Sequence, residues 1–218
     1  MKRKVAVYIL TLFFVSSCLT TNAMAVGLGF NLSGGGGSTE WDIEQQSWPY
    51  AKWKEDTDDS IGGIGFVLDT AVAKNRLFNY RLNIGLHSAD YEYDSGATFE
   101  TSGWFMTHDF GFAFIRNNKV RLWAGPEIRL SYSQGELDTD NDYEIDIVTF
   151  GIGPVIGANF NFAKNMTLTV KTGVLGTSSA GVIEHKTLGF VDQDIDGSGS
   201  YSFINVGLTF RLGDEYKK

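Results

Sequence analysis

In the stretch Tyr201-Ser-Phe-Ile-Asn-Val-Gly-Leu-Thr-Phe-Arg-Leu212, Ile204, Val206, Leu208, Phe210 and Leu212 fall on one face. Phe203, Asn205, Gly207, Thr209 and Arg211 fall on the other. A period of two marks a β-strand, here one with a wholly apolar face. In lipid a sheet cannot leave an edge of unpaired backbone groups, so a strand of this kind at the end of the chain calls for the first strand as its partner. The upstream sequence should supply the rest of a closed ring.

It does so in regular steps. Val26, Leu28, Phe30 and Leu32 alternate with Gly27, Gly29, Asn31 and Ser33, predicting a first strand that ends in the glycines 34–37. Similar alternation carries Ile64, Phe66 and Leu68; then Phe78, Tyr80, Leu82, Ile84 and Leu86; then Met106, Phe110, Phe112 and Phe114. Val120, Leu122, Ala124, Ile128 and Leu130 mark a fifth strand, Val148, Phe150, Ile152, Ile156 and Phe160 a sixth, and Leu168, Val170 and Val174 a seventh. Compact basic turns at 73–76, 116–119 and 163–166 alternate with polar stretches at 38–60, 93–101, 134–146 and before Ser198, which read as long loops. The expected fold is all-β, an eight-stranded antiparallel up-and-down transmembrane β-barrel with both termini on the turn side. Trp104, Tyr132, Tyr143 and Tyr201 suit an aromatic girdle on the loop side, and Phe78, Tyr80, Phe114, Phe160, Phe162 and Phe210 one on the turn side.

Composition agrees with one sheet domain: 218 residues, 26 glycines against 3 prolines, and 14% aromatics. Met1-Lys-Arg-Lys4, the apolar run 5–15 and Ala23-Met-Ala25 predict a signal peptide over 1–25, leaving the barrel domain as 26–218. Cys18, after Val15-Ser-Ser, offers a lipidated cysteine as the alternative reading. It is the only cysteine, so neither a disulfide nor a cysteine metal site is expected in the mature chain.

The ending Asn205 to Leu212 has the order polar, any, Gly, any, any, apolar, any, apolar. It resembles the closing-strand signal by which outer-membrane β-barrel proteins are recognised for insertion, with Asn205, Gly207, Phe210 and Leu212 at its marked positions. The whole layout resembles the small eight-stranded barrels of the OmpA and OmpX kind. That resemblance implies a monomer in the bacterial outer membrane, with N- and C-termini periplasmic, in contact with lipid and lipopolysaccharide and delivered by the barrel assembly machinery. Functions in that family run from envelope integrity and adhesion to passage of apolar molecules and lipid A modification, and fold alone does not choose among them.

The formal net charge is −8. Glu40, Asp42, Glu44, Glu55, Asp56, Asp58 and Asp59 crowd the first polar stretch, and Glu136, Asp138, Asp140, Asp142, Glu144 and Asp146 the third. Such a surface disfavours nucleic acid and suits divalent cations or basic partners; it also serves simply as a solvated face. Asp69, Asp109, Glu127, Arg81, Arg121, Arg129, Lys171 and Arg211 fall at inward positions. An eight-stranded barrel is only wide enough for its own side chains, so these should form a luminal network in which Glu127 pairs with the arginines.

Asp192-Gln-Asp-Ile-Asp-Gly197 has the opening spacing of an EF-hand loop, making Asp192, Asp194 and Asp196 a weak calcium candidate; the twelfth position is Phe203 where that loop has glutamate. Lipid A deacylases resemble this chain in outline and carry histidine and serine two residues apart. Here His87 and Ser88 are adjacent, as are His108 and Asp109, so alternation sends each pair to opposite faces; His185 has no serine partner nearby. No catalytic residue and no cofactor is expected. The reading is a non-catalytic surface or envelope protein acting through acidic external loops. A narrow channel or carrier for small or apolar molecules is the alternative, and a lipid A-modifying enzyme a third.

Overall fold

The structure, a computed structural model, describes residues 26–46, 50–70, 77–94, 96, 98–137, 140–185 and 191–212, with only the backbone course for 26, 137, 140–142, 185, 191 and 192. The predicted signal peptide with Cys18, and the side chains of Asp138, Asp140, Asp142, His185 and Asp192, lie outside the described residues.

Eight strands run in chain order: β1 (Val26–Gln45), β2 (Lys52–Asp69), β3 (Phe78–Tyr93), β4 (Thr98–Arg116), β5 (Val120–Leu137), β6 (Asp140–Ala163), β7 (Met166–His185) and β8 (Val191–Leu212). Each is antiparallel to its neighbours, and β1 closes on β8 from Val26 opposite Leu212 to Gln45 opposite Gln193. The start of β1 and the end of β8 therefore lie at the same end of the barrel as the ends of β2, β4 and β6.

Alternation divides the strands as the sequence predicts, with odd positions inward and even positions outward. The outward apolar residues form a belt: Phe30 and Leu32 on β1, Ile64 and Phe66 on β2, Ile84 and Leu86 on β3, Phe112 and Phe114 on β4, Ile204, Val206, Phe210 and Leu212 on β8, all exposed. A stretch such as Ile204–Leu212 matches the roughly 9–11 tilted residues that cross a bilayer. Burying such a face in water has no partner here; in lipid it has one.

The strands do not stop where the belt does, and this corrects the loop assignments. Strand lengths of 16 residues in β3 and 24 in β6 exceed what a bilayer needs. Residues 34–45 pair with 52–62 on one side and 193–204 on the other, so the glycine run is strand, as expected, and the acidic stretch after it is ladder too, not loop. The stretches around 93–101 and 134–146 and the one before Ser198 are likewise mostly paired strand. The asymmetry between the ends lies in how far strands project beyond the belt, not in the length of the connections. Two girdle assignments also change. Tyr201 is an inward residue, 4% exposed, and Tyr143 packs against the inner apolar cluster at the projecting end.

Candidate functional site

The lumen is filled from one end to the other. At the turn end Arg211 Nη2 donates to the carbonyls of Ala163 and Met166, each at 2.9 Å. Above it Trp123 is completely buried; its ring covers Gly111 and Gly157, where any Cβ would collide with it, and its Nε1 donates to Asn159 Oδ1 at 3.0 Å. Arg121 donates to Asn79 Oδ1 at 3.2 Å.

The middle layer is ionic. Lys171 reaches across from β7 and donates to both oxygens of Asp109, at 2.8 and 2.9 Å, and to Glu127 Oε2 at 2.6 Å. Asp109 and Glu127 are register partners on β4 and β5, so one ammonium holds together two carboxylates that would otherwise repel. Glu127 is therefore paired with Lys171, not with an arginine as the sequence suggested. The lysine ends in a compact charge with three rotatable donors, which lets one group meet both carboxylates.

Above this, Arg129 lies 4.7 Å from the Phe105 ring centroid and 5.4 Å from that of Tyr201, a cation held by aromatic faces. Tyr201 belongs to a buried apolar cluster with Ala113, Trp123, Val155, Leu175 and Phe203. In the projecting end a separate apolar cluster closes the barrel, with Trp41, Ile43, Tyr91, Phe99, Ile145, Ile147, Ile183 and Ile195 all buried. Tyr91 stacks on Phe99 at 4.5 Å with 7° between planes. Trp41 Nε1 donates to Thr57 Oγ1 at 3.1 Å, and Thr57 Oγ1 in turn to Asp59 Oδ1 at 2.7 Å.

All of Asp69, Arg81, Asp109, Arg121, Glu127, Arg129, Lys171 and Arg211 are placed inside and buried. The insertion-signal positions divide between faces: Asn205 and Gly207 point inward, Phe210 and Leu212 outward at 40% and 51% exposure. The Asp192–Gly197 stretch is β8 strand, not a loop, and Asp194 and Asp196 stand on its outer face opposite Glu44 and Asp42 of β1. Side chains two apart on a strand are about 7 Å apart along it, too spread to converge as in a calcium loop. Among the described residues no group of three or more His, Cys, Asp or Glu is placed to hold a metal ion.

One juxtaposition is illegible in the sequence. Ser133 Oγ lies 3.1 Å from His87 Nε2, although the two residues are on β5 and β3. Between them on β4 is their common register partner Gly103, whose missing side chain leaves the gap open. A serine and a histidine at this distance suggest a nucleophile and its base, but the third partner has the wrong sign. Arg129 Nη2 donates to His87 Nδ1 at 3.3 Å, which leaves the ring proton on Nε2, donating to the serine. His87 in that tautomer cannot take the Ser133 proton. Among the described side chains the other histidine is His108, which holds Tyr80 through Nδ1 at 2.6 Å on the outward side of the wall.

No family model and no curated protein matches the chain. Among solved structures it is similar to the outer membrane protein OprG from Pseudomonas aeruginosa, with a TM-score of 0.60 and 12% identity over 85% of this chain and 97% of that one. The outer membrane protease OmpT from Escherichia coli follows at a TM-score of 0.43, with 9% identity over 88% and 98%. Ail, the attachment invasion locus protein of Yersinia pestis, gives 0.38, with 10% identity over 87% and 100%. The chain has the fold of the small outer-membrane β-barrels. At these identities the likeness speaks for architecture alone.

The outer wall of the projecting end carries the second notable feature. Its outward positions set carboxylates beside carboxylates around the ring: Asp42 with Asp196, Glu44 with Asp194, Glu40 with Asp56, Asp58 with Glu92. The collar continues through Asp90, Glu100, Glu136, Glu144 and Glu184, each opposite the next. Lys54 offsets part of it through Glu40 and Asp42, and Lys52 through Glu44 at 3.6 Å. Like charges directly opposite on a sheet oppose pairing.

Proposed function

We propose that the protein is a plugged outer-membrane barrel, non-catalytic, that works at its acidic outer wall as a surface or envelope component. The observation that supports this most is the continuous filling of the lumen from Arg211 through the Lys171 layer to the Trp41 cluster. In this reading the projecting end faces outward, both termini face the periplasm, and the monomer arrives through the barrel assembly machinery. A channel needs a path, and here the path is occupied by buried side chains. The expected result in planar bilayers is silence, with no reproducible unitary current from the purified, folded protein. A steady current would overturn the plug and favour a channel or carrier for small molecules.

The collar stands beyond the apolar belt, past small outward residues such as Gly34, Gly36 and Ser38 on β1, and in this reading it faces lipopolysaccharide, whose phosphates are also anionic. Divalent cations shared between the two would relieve repulsion on both sides. Folded barrel in lipid vesicles should therefore unfold at higher urea in magnesium than with a chelator at equal ionic strength. Changing Glu100, Glu136 and Glu144 together to glutamine should remove most of that difference; an unchanged difference would leave the collar as a solvated face only.

Acidification should act in the same direction. Burial pushes the Asp59 carboxyl above its ordinary value, against the opposing hydrogen bonds from Thr39 and Thr57. A carboxyl with a raised folded-state pKa weakens the fold once ionised, so stability should rise as pH falls through that pKa. Asp59→Asn should flatten part of the rise in urea midpoint seen as the pH is lowered toward the ordinary carboxylate range.

A further inference from the structure

The turn end of the barrel is charged oppositely to the projecting end. In sequence no aspartate or glutamate lies between Asp69 and Asp90, between Asp109 and Glu127, or between Asp146 and Glu184, and these spans contain the β2–β3, β4–β5 and β6–β7 connections. The first connection carries Lys74 and Arg76, which lie outside the described residues; the second carries Lys119 directly after Arg116, Asn117 and Asn118, and the third carries Lys164. The tail after Leu212 adds two acids and two lysines, which cancel.

The two described turns are held firmly and leave their lysines outside. Asn117 Oδ1 accepts from the backbone N–H groups of Lys119 and Val120, at 2.9 and 2.8 Å, and so closes the β4–β5 turn. Asn161 ties that turn to β6, its backbone N–H donating to the Lys119 carbonyl at 2.7 Å and its Nδ2 to the Asn118 carbonyl at 3.3 Å. Arg211 grips the β6–β7 turn through the carbonyls of Ala163 and Met166, which flank Lys164 and Asn165. Lys119 and Lys164 are exposed, and among the described residues neither forms an ion pair. Arg116, exposed as well, stands opposite Arg121 in the β4–β5 ladder, so cations neighbour one another at this mouth.

Depth decides what such a surface meets. Phe114 and Phe162 are exposed rings of the belt, and Arg116 and Lys164 follow them by two positions. Two residues of strand advance about 7 Å, and the polar headgroup layer reaches about 5–8 Å beyond the hydrocarbon. Rings in the acyl chains therefore put the next charges among the phosphates. At the projecting end of β1 the first outward carboxylate after Leu32 is Glu40, eight positions on and well past that layer.

We propose that the turn end is a docking surface for anionic phospholipid, with Lys119, Lys164 and Arg116 holding headgroup phosphates while the neighbouring phenylalanines lie among the acyl chains. Lysine meets a phosphate as a point charge and needs only reach, so mobile side chains on fixed turns suit a fluid layer of such groups. The two ends then distinguish the leaflets: the turn end draws bare anionic headgroups, and the collar repels them unless cations intervene. With the termini periplasmic, the leaflet held is the inner one. The inference needs only the belt in lipid and is independent of the plug.

The test reads lipid selectivity of the folded barrel in phosphatidylcholine vesicles by electron paramagnetic resonance, with a trace of spin-labelled phosphatidylglycerol or phosphatidylcholine. At low salt the motionally restricted shell should take up phosphatidylglycerol about twofold to fivefold more strongly, the size expected when basic side chains lie at an anionic lipid surface. The preference should fall to near one in about 1 M salt, where the screening length is about 3 Å. Lys119→Gln combined with Lys164→Gln removes no ion pair, so this variant should fold as wild type does and lose at least half of the preference. Glu100→Gln, Glu136→Gln and Glu144→Gln together should keep or raise it. Equal uptake of both labels by wild type overturns the docking surface, as does a preference that the two lysine changes leave intact or that survives high salt.

Discussion

Lys171→Ala should lower the unfolding free energy of the barrel by about 3–5 kcal/mol, the usual cost of breaking a buried ionic cluster by removing one member. Lys171 bridges Asp109, at 2.8 and 2.9 Å, and Glu127, at 2.6 Å, and both carboxylates are buried. Without the ammonium, two register partners face each other across the ladder in a dry site, where one must take up a proton to remain. Glu127→Ala should cost less, because Lys171 keeps both of its contacts to Asp109. That order, with the lysine change the more damaging, separates this geometry from a general loss of charge. Urea unfolding in lipid vesicles reads it. Equal midpoints for wild type and Lys171→Ala would mean a solvated lumen, and the channel reading would then move ahead.

The membrane half of the fold was legible because lipid imposes a single rule on every strand. Leu28, Phe30 and Leu32 on β1, or Val206, Leu208 and Phe210 on β8, all sit at even positions, and the inward charges at odd ones. The projecting half was misread because the apolar face changes sides at the edge of the bilayer. On β1 the apolar residues become Trp41 and Ile43, odd positions, while Glu40, Asp42 and Glu44 take the outer face. The same switch occurs between Leu86 and Ala89–Tyr91 on β3 and between Ile147 and Val148 on β6. The ladder continues without a break in register, but a reader following one apolar face sees it end and infers a loop. Outside lipid the outer wall must be polar and the interior must exclude water, so the alternation persists with its sign reversed.

Among the site residues, inward direction followed from parity, whereas partnership did not. Alternation tells that Glu127, Lys171 and Arg129 share the lumen; only the stagger between strands tells which of them meet. His87 and Ser133 meet through the gap left by Gly103, two strands apart, and no local pattern announces it. Trp123 is the largest side chain that parity placed inside and that the charge-centred reading passed over.

Its removal gives the other large effect. Trp123→Ala should destabilise the barrel by about 3–5 kcal/mol, the range for deleting a large buried aromatic. The upper end is expected, because the ring lies over Gly111 and Gly157, and glycines have no side chains that could swing into the space. The Asn159 oxygen also loses its donor at 3.0 Å, which adds the penalty of an unsatisfied buried acceptor unless water enters. Trp123→Phe divides the two contributions: it keeps most of the volume and abolishes the hydrogen bond, so it should cost about 1–3 kcal/mol. Neither change touches the Trp41 cluster at the projecting end, so both variants should remain silent in planar bilayers. If Trp123→Ala opened a current, the plug would reside at the turn end alone and the apolar cluster above it would be permeable. If instead it unfolded within about 1 kcal/mol of wild type, the lumen around β5 would be able to collapse or hydrate, against the close filling that the ring and its two glycines describe.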